Sequence, residues 1–199
     1  MIGQMDRLDM RRAINHWKAH GLDYSRLLTK PTAAEGDTVY CSQAQDHGID
    51  KALDNKLIEL AAPALEKGEK VQIDIDIQNV NRTFGALLSG RVAERYGFAG
   101  LPDDTIKINA RGTAGQSFGA WLAHGVTIEL AGEGNDYVGK GLSGGRLVIY
   151  PPAECKIDRA EDNIIVGNTV LYGAIKGECY FRGVAGERFA VRNSGATAV

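Results

Sequence analysis

The chain has 199 residues, with 23 lysines and arginines against 25 aspartates and glutamates. That length suits one ordinary domain, or one domain with an appendage, and it allows a sizeable buried core. The near-balance of charge, which holds in both halves of the chain, argues against a nucleic-acid or anionic-membrane partner.

The N-terminal stretch and the cysteines suggest a reducing compartment. Charges interrupt MIGQMDRLDMRR, where a signal peptide would need an apolar core, and the sequence has no run of about 18 apolar residues to span a membrane. Cys41, Cys155 and Cys179 are spaced neither as a disulfide framework nor as a zinc site. We therefore expect a cytoplasmic protein without a membrane association.

The N-terminal segment, residues 1–50, is predicted to be a connector with some helix. Leu8, Ile14 and Trp17 share one face of a short helix that ends at Gly21. The remainder of this segment is polar and typical of a loop.

Residues 51–100 are predicted to form a helix–strand–helix segment. Apolar residues recur at helical spacing over residues 53–61. In KVQIDIDIQN, apolar and polar residues alternate strictly over residues 71–77, which is the pattern of a half-buried strand. A second helix is predicted over residues 84–96, where apolar residues again follow the helical period.

The chain changes character near Leu101, because residues 1–100 contain nine glycines and residues 101–199 contain sixteen. Helical periodicity disappears there. Short apolar runs lie between the glycines instead: TIKINA, VTIEL, RLVIY, NIIVGNTVLYG, ECYF and RFAV.

The glycine-rich half also repeats itself. Three stretches share Gly-x-x-Gly, two residues and a large apolar residue: GTAGQSFGAW (112–121, with Phe118), GLSGGRLVIY (141–150, with Leu147) and GVAGERFAVR (183–192, with Phe189). GAIKGECYF (173–181) is a looser fourth copy. In addition, GNDYVGKG (134–141) returns 33 residues later as GNTVLYGA (167–174).

Self-similarity at a period of tens of residues indicates a solenoid, and the strand-like composition excludes a helical one. We therefore predict a mainly β fold in which residues 101–199 form a parallel β-helix, with strands stacked about 4.8 Å apart. The glycines are assigned to corners, where the chain needs a positive φ or a close backbone approach. Residues 51–100 are predicted to pack on this solenoid, giving one structural domain overall.

Two phosphate-binding motifs overlap in GNDYVGKGLSGG and are alternatives to the corner interpretation. Gly139, Gly141 and Gly144 match G-x-G-x-x-G, and Gly134, Gly139 and Lys140 match the start of a P-loop. Both motifs need a helix to follow, since its N-terminus binds the phosphate. The sequence that follows is strand-like and ends at two prolines, so we favour the corner interpretation.

Two further sets of residues have the chemistry of a site. His16 and His20 are four apart and would face the same way on a helix as metal ligands, although packing beside Trp17 explains them more simply. Cys41, Asp46 and His47 contain the parts of a nucleophile, an orienting acid and a base for a hydrolase. They lie in a loop-like stretch without a recognisable motif.

Long stretches of the chain closely resemble the C-terminal glycine-rich (GXGXG) domain of the large subunit of glutamate synthase. They are INARGTAGQSFGAWL, GNDYVGKGLSGGRLVIYPP, GNTVLYGA with GVAGERFAVRNSGA, and the upstream NRTFGALLSGRVAERYGFAGLPDDTI. DHGIDKALDNKLIELAAPAL and HWKAHGLDYSRLL fit as well, so the resemblance covers nearly the whole chain. A similar domain in formylmethanofuran dehydrogenase offers an alternative, a stand-alone binding or assembly subunit.

The resemblance implies a right-handed, single-stranded parallel β-helix, in agreement with the repeat. It also implies a place in an oxidoreductase that makes glutamate from glutamine and 2-oxoglutarate. That enzyme has an amidotransferase domain and a domain that binds FMN and an iron–sulfur cluster. Because the β-helix is a scaffold between them, the resemblance assigns no catalytic, cofactor-binding or metal-binding residue to this chain.

The chain also departs from the full enzyme. It begins Met1-Ile2 instead of with a nucleophilic cysteine, its three cysteines cannot form the iron–sulfur site, and it stops at NSGATAV. We expect a fragment or a shortened, separately encoded copy that is inactive alone. An interrupted last coil would leave backbone groups unpaired, which predicts self-association or fraying of residues 183–199.

Overall fold

The computed structural model of the chain describes residues 3, 4, 7, 15–38, 40–157 and 159–199. The chain divides into two compact units, residues 1–47 and residues 48–199. The described part of the first unit consists mainly of turns and extended backbone, with one short helix, α1 (Ser25–Leu28). Leu8 and Ile14, on which the predicted N-terminal helix depends, lie outside the described residues, and Trp17 is exposed in a turn.

The described residues of the second unit form three helices and eight strands. The helices are α2 (Asp54–Leu60), α3 (Ala62–Lys67) and α4 (Ala86–Tyr96), with short 3-10 helices at Ile49–Lys51, Gly97–Ala99 and Ala160–Asp162. The strands are β1 (Val71–Ile77), β2 (Ile106–Ala114), β3 (Val126–Gly134), β4 (Ser143–Tyr150), β5 (Ile164–Val166), β6 (Lys176–Phe181), β7 (Val184–Ala185) and β8 (Thr197–Ala198).

The predicted helix–strand–helix order of residues 51–100 is confirmed. In β1 the three isoleucines are buried and the polar residues between them are exposed, as the alternation predicts. The first predicted helix is divided into α2 and α3, which meet at Ala61 just before Pro63. The second begins at Ala86, because Gly85 has a left-handed backbone with φ of 91°.

All pairs between the named strands are parallel. Strands β1, β2, β3, β4, β6 and β8 lie side by side in that order, while β5 pairs with the end of β3 and with β7. The chain therefore advances by about one strand spacing, 4.8 Å, each time it returns to the sheet. The prediction of a mainly β structure is confirmed, and the right-handed β-helix remains the finer prediction.

The core is built from ladders of residues that occupy equivalent positions in neighbouring strands. One inward-facing ladder consists of Ile73, Ile108, Ile128, Leu147, Cys179 and Ala198. Its members from Ile108 to Cys179 are fully buried. Burial of a side chain of this size contributes about 1.5–3 kcal/mol. Parallel pairing thus extends one apolar core along the whole stack.

Four turn segments, here called the stacked turns, connect strands of this sheet: residues 115–125, 135–142, 167–175 and 186–196. Backbone hydrogen bonds of 2.8–2.9 Å join each to the next, from the N–H of Ser117 to Asp136, of Tyr137 to Asn168, and of Thr169 to Glu187. In each case the acceptor is the backbone carbonyl. The turns are therefore stacked in register like the strands.

Left-handed backbone in the stacked turns is not confined to glycine. Ser117, Tyr137 and Thr169 have φ of 60–62°. A side chain at such a φ costs on the order of 1 kcal/mol, and the hydrogen bond to the next turn holds the residue there. The run RFAV (188–191) also lies in a turn, with left-handed Arg188 and Ala190, although its composition suggested a strand.

The structure corrects the register of the sequence repeat. Phe118 and Phe189 were matched in the sequence repeat, and each follows the first left-handed residue of its turn. Leu147 does not, because it lies on β4 within the core ladder. The second repeat, between GNDYVGKG and GNTVLYGA, has a spacing of 33 residues in the sequence, which differs by one from the spacing in the structure. There Asp136 and Asn168, which are 32 residues apart, are joined by a hydrogen bond. Glycines serve both the turns and the closely packed starts of strands, so their spacing alone does not fix the register.

Asp54 joins α2 to the start of α4 and is almost fully buried. Its Oδ1 accepts the N–H of Gly85 at 2.9 Å, and its Oδ2 accepts the N–H of Leu87 at 2.8 Å. These N–H groups have no partner within α4, because they belong to its first turn. Burial raises the pKa of the Asp54 carboxyl from its ordinary value, while the N–H donors act in the opposite direction.

We expect Asp54→Asn to lower the free energy of unfolding by about 1–3 kcal/mol, because an amide N–H₂ replaces one acceptor oxygen. With its raised pKa, Asp54 holds a proton in the native state at pH values where the unfolded chain has released it. Its titration therefore stabilises the protein most below about pH 3.8, and this stabilisation is lost as pH rises through the native pKa. Urea denaturation across this range should show the two proteins converging as pH rises.

The exposed Asp50 provides a control, since Asp50→Asn should change the free energy of unfolding by less than about 0.5 kcal/mol. If the gap between wild type and Asp54→Asn widened with pH, the N–H groups of α4 would outweigh burial in setting this pKa.

Candidate functional site

The turn 135–142 contains the central residues of both phosphate-binding motifs, and the backbone donors of Gly139, Lys140 and Gly141 are occupied. The N–H groups of Gly139, Lys140 and Gly141 donate to the carbonyls of Phe118, Tyr137 and Tyr172 at 2.9, 3.1 and 2.9 Å. A strand, β4, follows the turn, so the helix N-terminus that both motifs require is not there. The geometry is that of a corner whose amides hold neighbouring turns together.

Lys140, the lysine of the P-loop match, faces aromatic rings. Its Nζ lies 5.5 Å from the ring centroid of Trp121 and 5.6 Å from that of Tyr137. Gly141 makes room for this contact, because a Cβ there would lie 2.6 Å from the Trp121 indole. Sequence reasoning missed this cluster. Its signal was the mixture of aromatic and basic residues within the glycine-rich turns.

The other sequence-predicted candidates lie in the first unit. His16 is exposed and stacks beside Trp17, and its Nδ1 accepts the backbone N–H of Lys18 at 3.2 Å. The exposed thiol of Cys41 donates to the carbonyl of Gln43 at 3.3 Å. Within the described residues, no group of three or more histidine, cysteine or acidic side chains is arranged to hold a metal ion.

A polar cleft of about 280 Å³ lies on the outward face of strands β3, β4 and β6. Arg146 bonds both Asp104, at 3.2 Å, and Glu178, at 2.8 Å, and the Thr127 hydroxyl donates to Asp104 at 2.7 Å. The Thr127 hydrogen bond holds the pKa of Asp104 below its usual value, and Glu178 raises the pKa of Arg146. The Arg146 guanidinium is therefore shared between two carboxylates, and each of these charged groups has a partner within the cleft.

His124 lies at the margin of the same cleft. Its Nδ1 is 2.8 Å from the carbonyl oxygen of Leu101, and its Nε2 is 3.2 Å from a carboxylate oxygen of Asp103. Both ring nitrogens thus face oxygen atoms of the chain. This arrangement fixes the imidazole against residues 101–103 and leaves neither nitrogen directed toward the open cleft.

A second cleft, of about 360 Å³, is lined mainly by the ends of β2 and β3 and by residues 151–157. Arg111 and Glu154 form an ion pair across it, and the free thiol of Cys155 lies in its wall. Among the described residues that line it there is no histidine and no second cysteine. Among the described lining residues, Cys155 therefore has no histidine beside it to form a cysteine–histidine pair.

The three cysteines are all free, as their spacing predicts. Cys179 lies in the core ladder, and burial raises the pKa of its thiol far above the ordinary value. A thiol in that state packs as an apolar side chain. No helix in the described part of the chain is long and apolar enough to cross a bilayer.

Comparison with known proteins identifies relatives of the whole chain. The family model described as "GXGXG motif" matches residues 54–199. The chain is 51% identical over 200 residues to glutamate synthase [NADH] of Schizosaccharomyces pombe and 47% identical over 201 residues to the glutamate synthase [NADPH] large chain of Bacillus subtilis. It is 40% identical over 203 residues to ferredoxin-dependent glutamate synthase 2 of Synechocystis.

These matches include all of this chain but only a small part of each relative. The chain spans 9% of the Schizosaccharomyces pombe protein and 13% of the other two. The similarity therefore concerns one domain of much longer polypeptides.

Two glycine substitutions distinguish a corner from a phosphate cradle. At Gly144 φ is 125°, and a Cβ would lie 2.9 Å from the Cβ of His124. At Gly186 a Cβ would lie 2.9 Å from the backbone of Gly167. We expect Gly144→Val and Gly186→Val each to lower the free energy of unfolding by about 1–3 kcal/mol or more. Thermal melting with and without ATP or NADPH should show this loss and no shift caused by nucleotide.

Gly90→Ala is the matched control, because Gly90 lies in α4 without a positive φ, and a methyl group added there would meet no heavy atom within 4 Å. It should leave the melting temperature unchanged or raise it slightly. A nucleotide-induced shift in the wild type that disappears in Gly144→Val, with stability intact, would overturn the corner assignment.

Proposed function

Because the chain belongs to the GXGXG family, in the form of the domain found in glutamate synthase large chains, we propose that it is a non-catalytic scaffold domain of such an enzyme. The observation that carries this proposal is that the polar groups of its candidate sites are bonded to other groups of the same chain. In the turn 135–142 the backbone amides bond neighbouring turns, and in the polar cleft the charges of Arg146, Asp104 and Glu178 are paired. These groups hold the fold together instead of facing a substrate.

We further propose that the second unit is a right-handed, single-stranded parallel β-helix. Support comes from the parallel order of the strands and from the hydrogen bonds between stacked turns at the same residue positions. Such a solenoid is stiff along its stack, because each coil is bonded to the coil before it and the coil after it. Stiffness is the property that a spacer between catalytic domains requires.

The proposed partners are an amidotransferase domain and a domain that binds FMN and an iron–sulfur cluster, within one long polypeptide. The names of the relatives support a role in glutamate formation, and the coverage of 9–13% leaves room for several further domains in them. We place the protein in the cytoplasm, where its three free cysteines would remain reduced.

Self-association is proposed for the isolated chain through residues 184–199. In the preceding stacked turns the N–H groups of Tyr137 and Thr169 donate to the next turn. The corresponding N–H of Arg188 has no backbone acceptor within the described residues, and Phe189 beside it is 41% exposed. A second copy can supply both the acceptor and an apolar surface.

Light scattering over a concentration series tests this self-association, and the expected result is a mass that rises with concentration. Phe189→Glu should reduce the self-association, because it places a charge on the proposed contact surface. Phe98 is an exposed phenylalanine outside residues 184–199, so Phe98→Glu should leave the self-association unchanged. A mass that stays monomeric throughout would refute the proposed self-association.

The scaffold role is tested by transplanting the chain. We expect a chimera in which it replaces the matching 201 residues of the Bacillus subtilis large chain to form glutamate from glutamine and 2-oxoglutarate. The isolated chain should be colourless and should show neither glutaminase nor glutamate synthase activity. The same chimera carrying Gly186→Val provides a control with a disturbed turn, and should lose activity together with stability. A stoichiometric flavin spectrum or glutamate formation by the isolated chain would contradict the scaffold role.

A further inference from the structure

Aromatic and basic side chains alternate along the outer edge of the stacked turns. Lys140 lies over Trp121 and Tyr137, and Arg192 lies over Tyr172 with its guanidinium carbon 5.6 Å from the ring centroid. Arg192 also donates to the Tyr172 hydroxyl at 3.1 Å. The Gly141 N–H bonds the Tyr172 carbonyl and so places the two groups on neighbouring turns. We call these five side chains the aromatic–cation surface: Trp121, Tyr137, Lys140, Tyr172 and Arg192.

Cation–π contacts of the second unit are concentrated at this edge. A protein has roughly one such contact per 70–80 residues. The second unit spans residues 48–199, and three of its contacts belong to the aromatic–cation surface. A fourth, Lys176 over Phe98, is close by, because Phe98 and Trp121 line the same groove of about 520 Å³ beside α4.

Among the residues that the structure describes, the cations of this surface lack acidic partners. No described carboxylate lies within 4.0 Å of Lys140 or Arg192, whereas Lys107 and Arg146 on the sheet face are both paired. Arg188, on the same turn as Arg192, is likewise unpaired among the described residues. The rings are available too, since Trp121 is 50% exposed. Tryptophan, tyrosine and arginine, which make up four of the five side chains of this surface, are the residue types enriched among the central residues of protein interfaces.

We propose that the aromatic–cation surface binds a carboxylate-bearing segment of another domain of the same long polypeptide. Charge complementarity supports this occupant, because Lys140 and Arg192 have no carboxylate partner among the described residues, whereas Lys107 and Arg146 do. The relatives contain the further polypeptide that could provide this segment, because the chain spans only 9–13% of their length. Rings preordered by Lys140 and Arg192 reduce the entropic cost of docking. This inference rests on the proposed scaffold function and adds the chemistry of one contact.

A nucleic acid is the other class of ligand that aromatic rings and cations bind. It is disfavoured here, because the chain has a formal net charge of −2 and the surface has few cations to neutralise a phosphate backbone. A segment with a few carboxylates matches the number of free cations better.

Zero-length carbodiimide cross-linking of the chimera described above tests the contact directly. We expect the Lys140 amine to form an amide with an aspartate or glutamate outside the 199 residues. Lys107, which lies 2.8 Å from Glu129, is the matched control and should link within the chain. If the chimera makes glutamate and Lys140 links only within the chain, the docking proposal is wrong and the scaffold function stands. An inactive chimera counts against the scaffold function instead.

A second measurement uses the 199-residue chain itself and does not depend on the chimera. With Trp17→Phe as background, Trp121 is the only tryptophan, so its fluorescence reports on the surface. A heptaglutamate peptide should change this fluorescence saturably, and Lys140→Gln with Arg192→Gln should weaken binding about tenfold. Lys107→Gln should have no effect on the affinity. Binding should also weaken as salt increases.

The peptide measurement has two outcomes that overturn the proposal. One is the absence of a saturable change up to about 1 mM peptide, which corresponds to an affinity too weak for a specific contact. The other is tighter binding of a thymidylate oligomer of equal charge with the same dependence on Lys140 and Arg192, which would assign the surface to a nucleic acid.

Discussion

In-register parallel pairing is the constraint on which the other features of the second unit depend. Each position lies about 4.8 Å from the same position of the neighbouring strand, so a side chain must suit its counterparts on both sides. Inward positions satisfy this with apolar residues such as Ile108 and Ile128. Outward positions satisfy it with opposite charges, as in the pairs Lys107–Glu129 and Arg146–Glu178.

Much of the fold follows from local sequence patterns, and the remainder depends on contacts between distant residues. The alternation in residues 71–77 was sufficient to predict β1, because a half-buried strand needs nothing more. The left-handed backbone of Tyr137 and Thr169 was not predictable from propensity, because it is held by bonds to the next turn. The start of α4 likewise depends on Asp54, which is 31 residues from Gly85.

The candidate site shows the same division. The glycines of turn 135–142 were compatible with a phosphate cradle and with a corner, because both need small residues and a flexible backbone. Only the acceptors of the Gly139 and Gly141 amides, which lie in the turns before and after it, distinguish the two. The contact of Lys140 with Trp121 crosses between two turns in the same way, so no local motif marks it.

The bonds between stacked turns also restrict how this fold can change length in evolution. They join backbone groups, which nearly every residue type provides, so a whole coil of 19 or 20 residues can be duplicated or lost without unpairing its neighbours. The 32-residue spacing between Asp136 and Asn168 shows the other route, since the register is kept although residues 151–157 and 159–163 lie outside the strands. A single-residue insertion within a strand would instead exchange core and surface positions beyond it. Viable descendants of this domain should therefore differ by complete coils or by the length of the segment between β4 and β5.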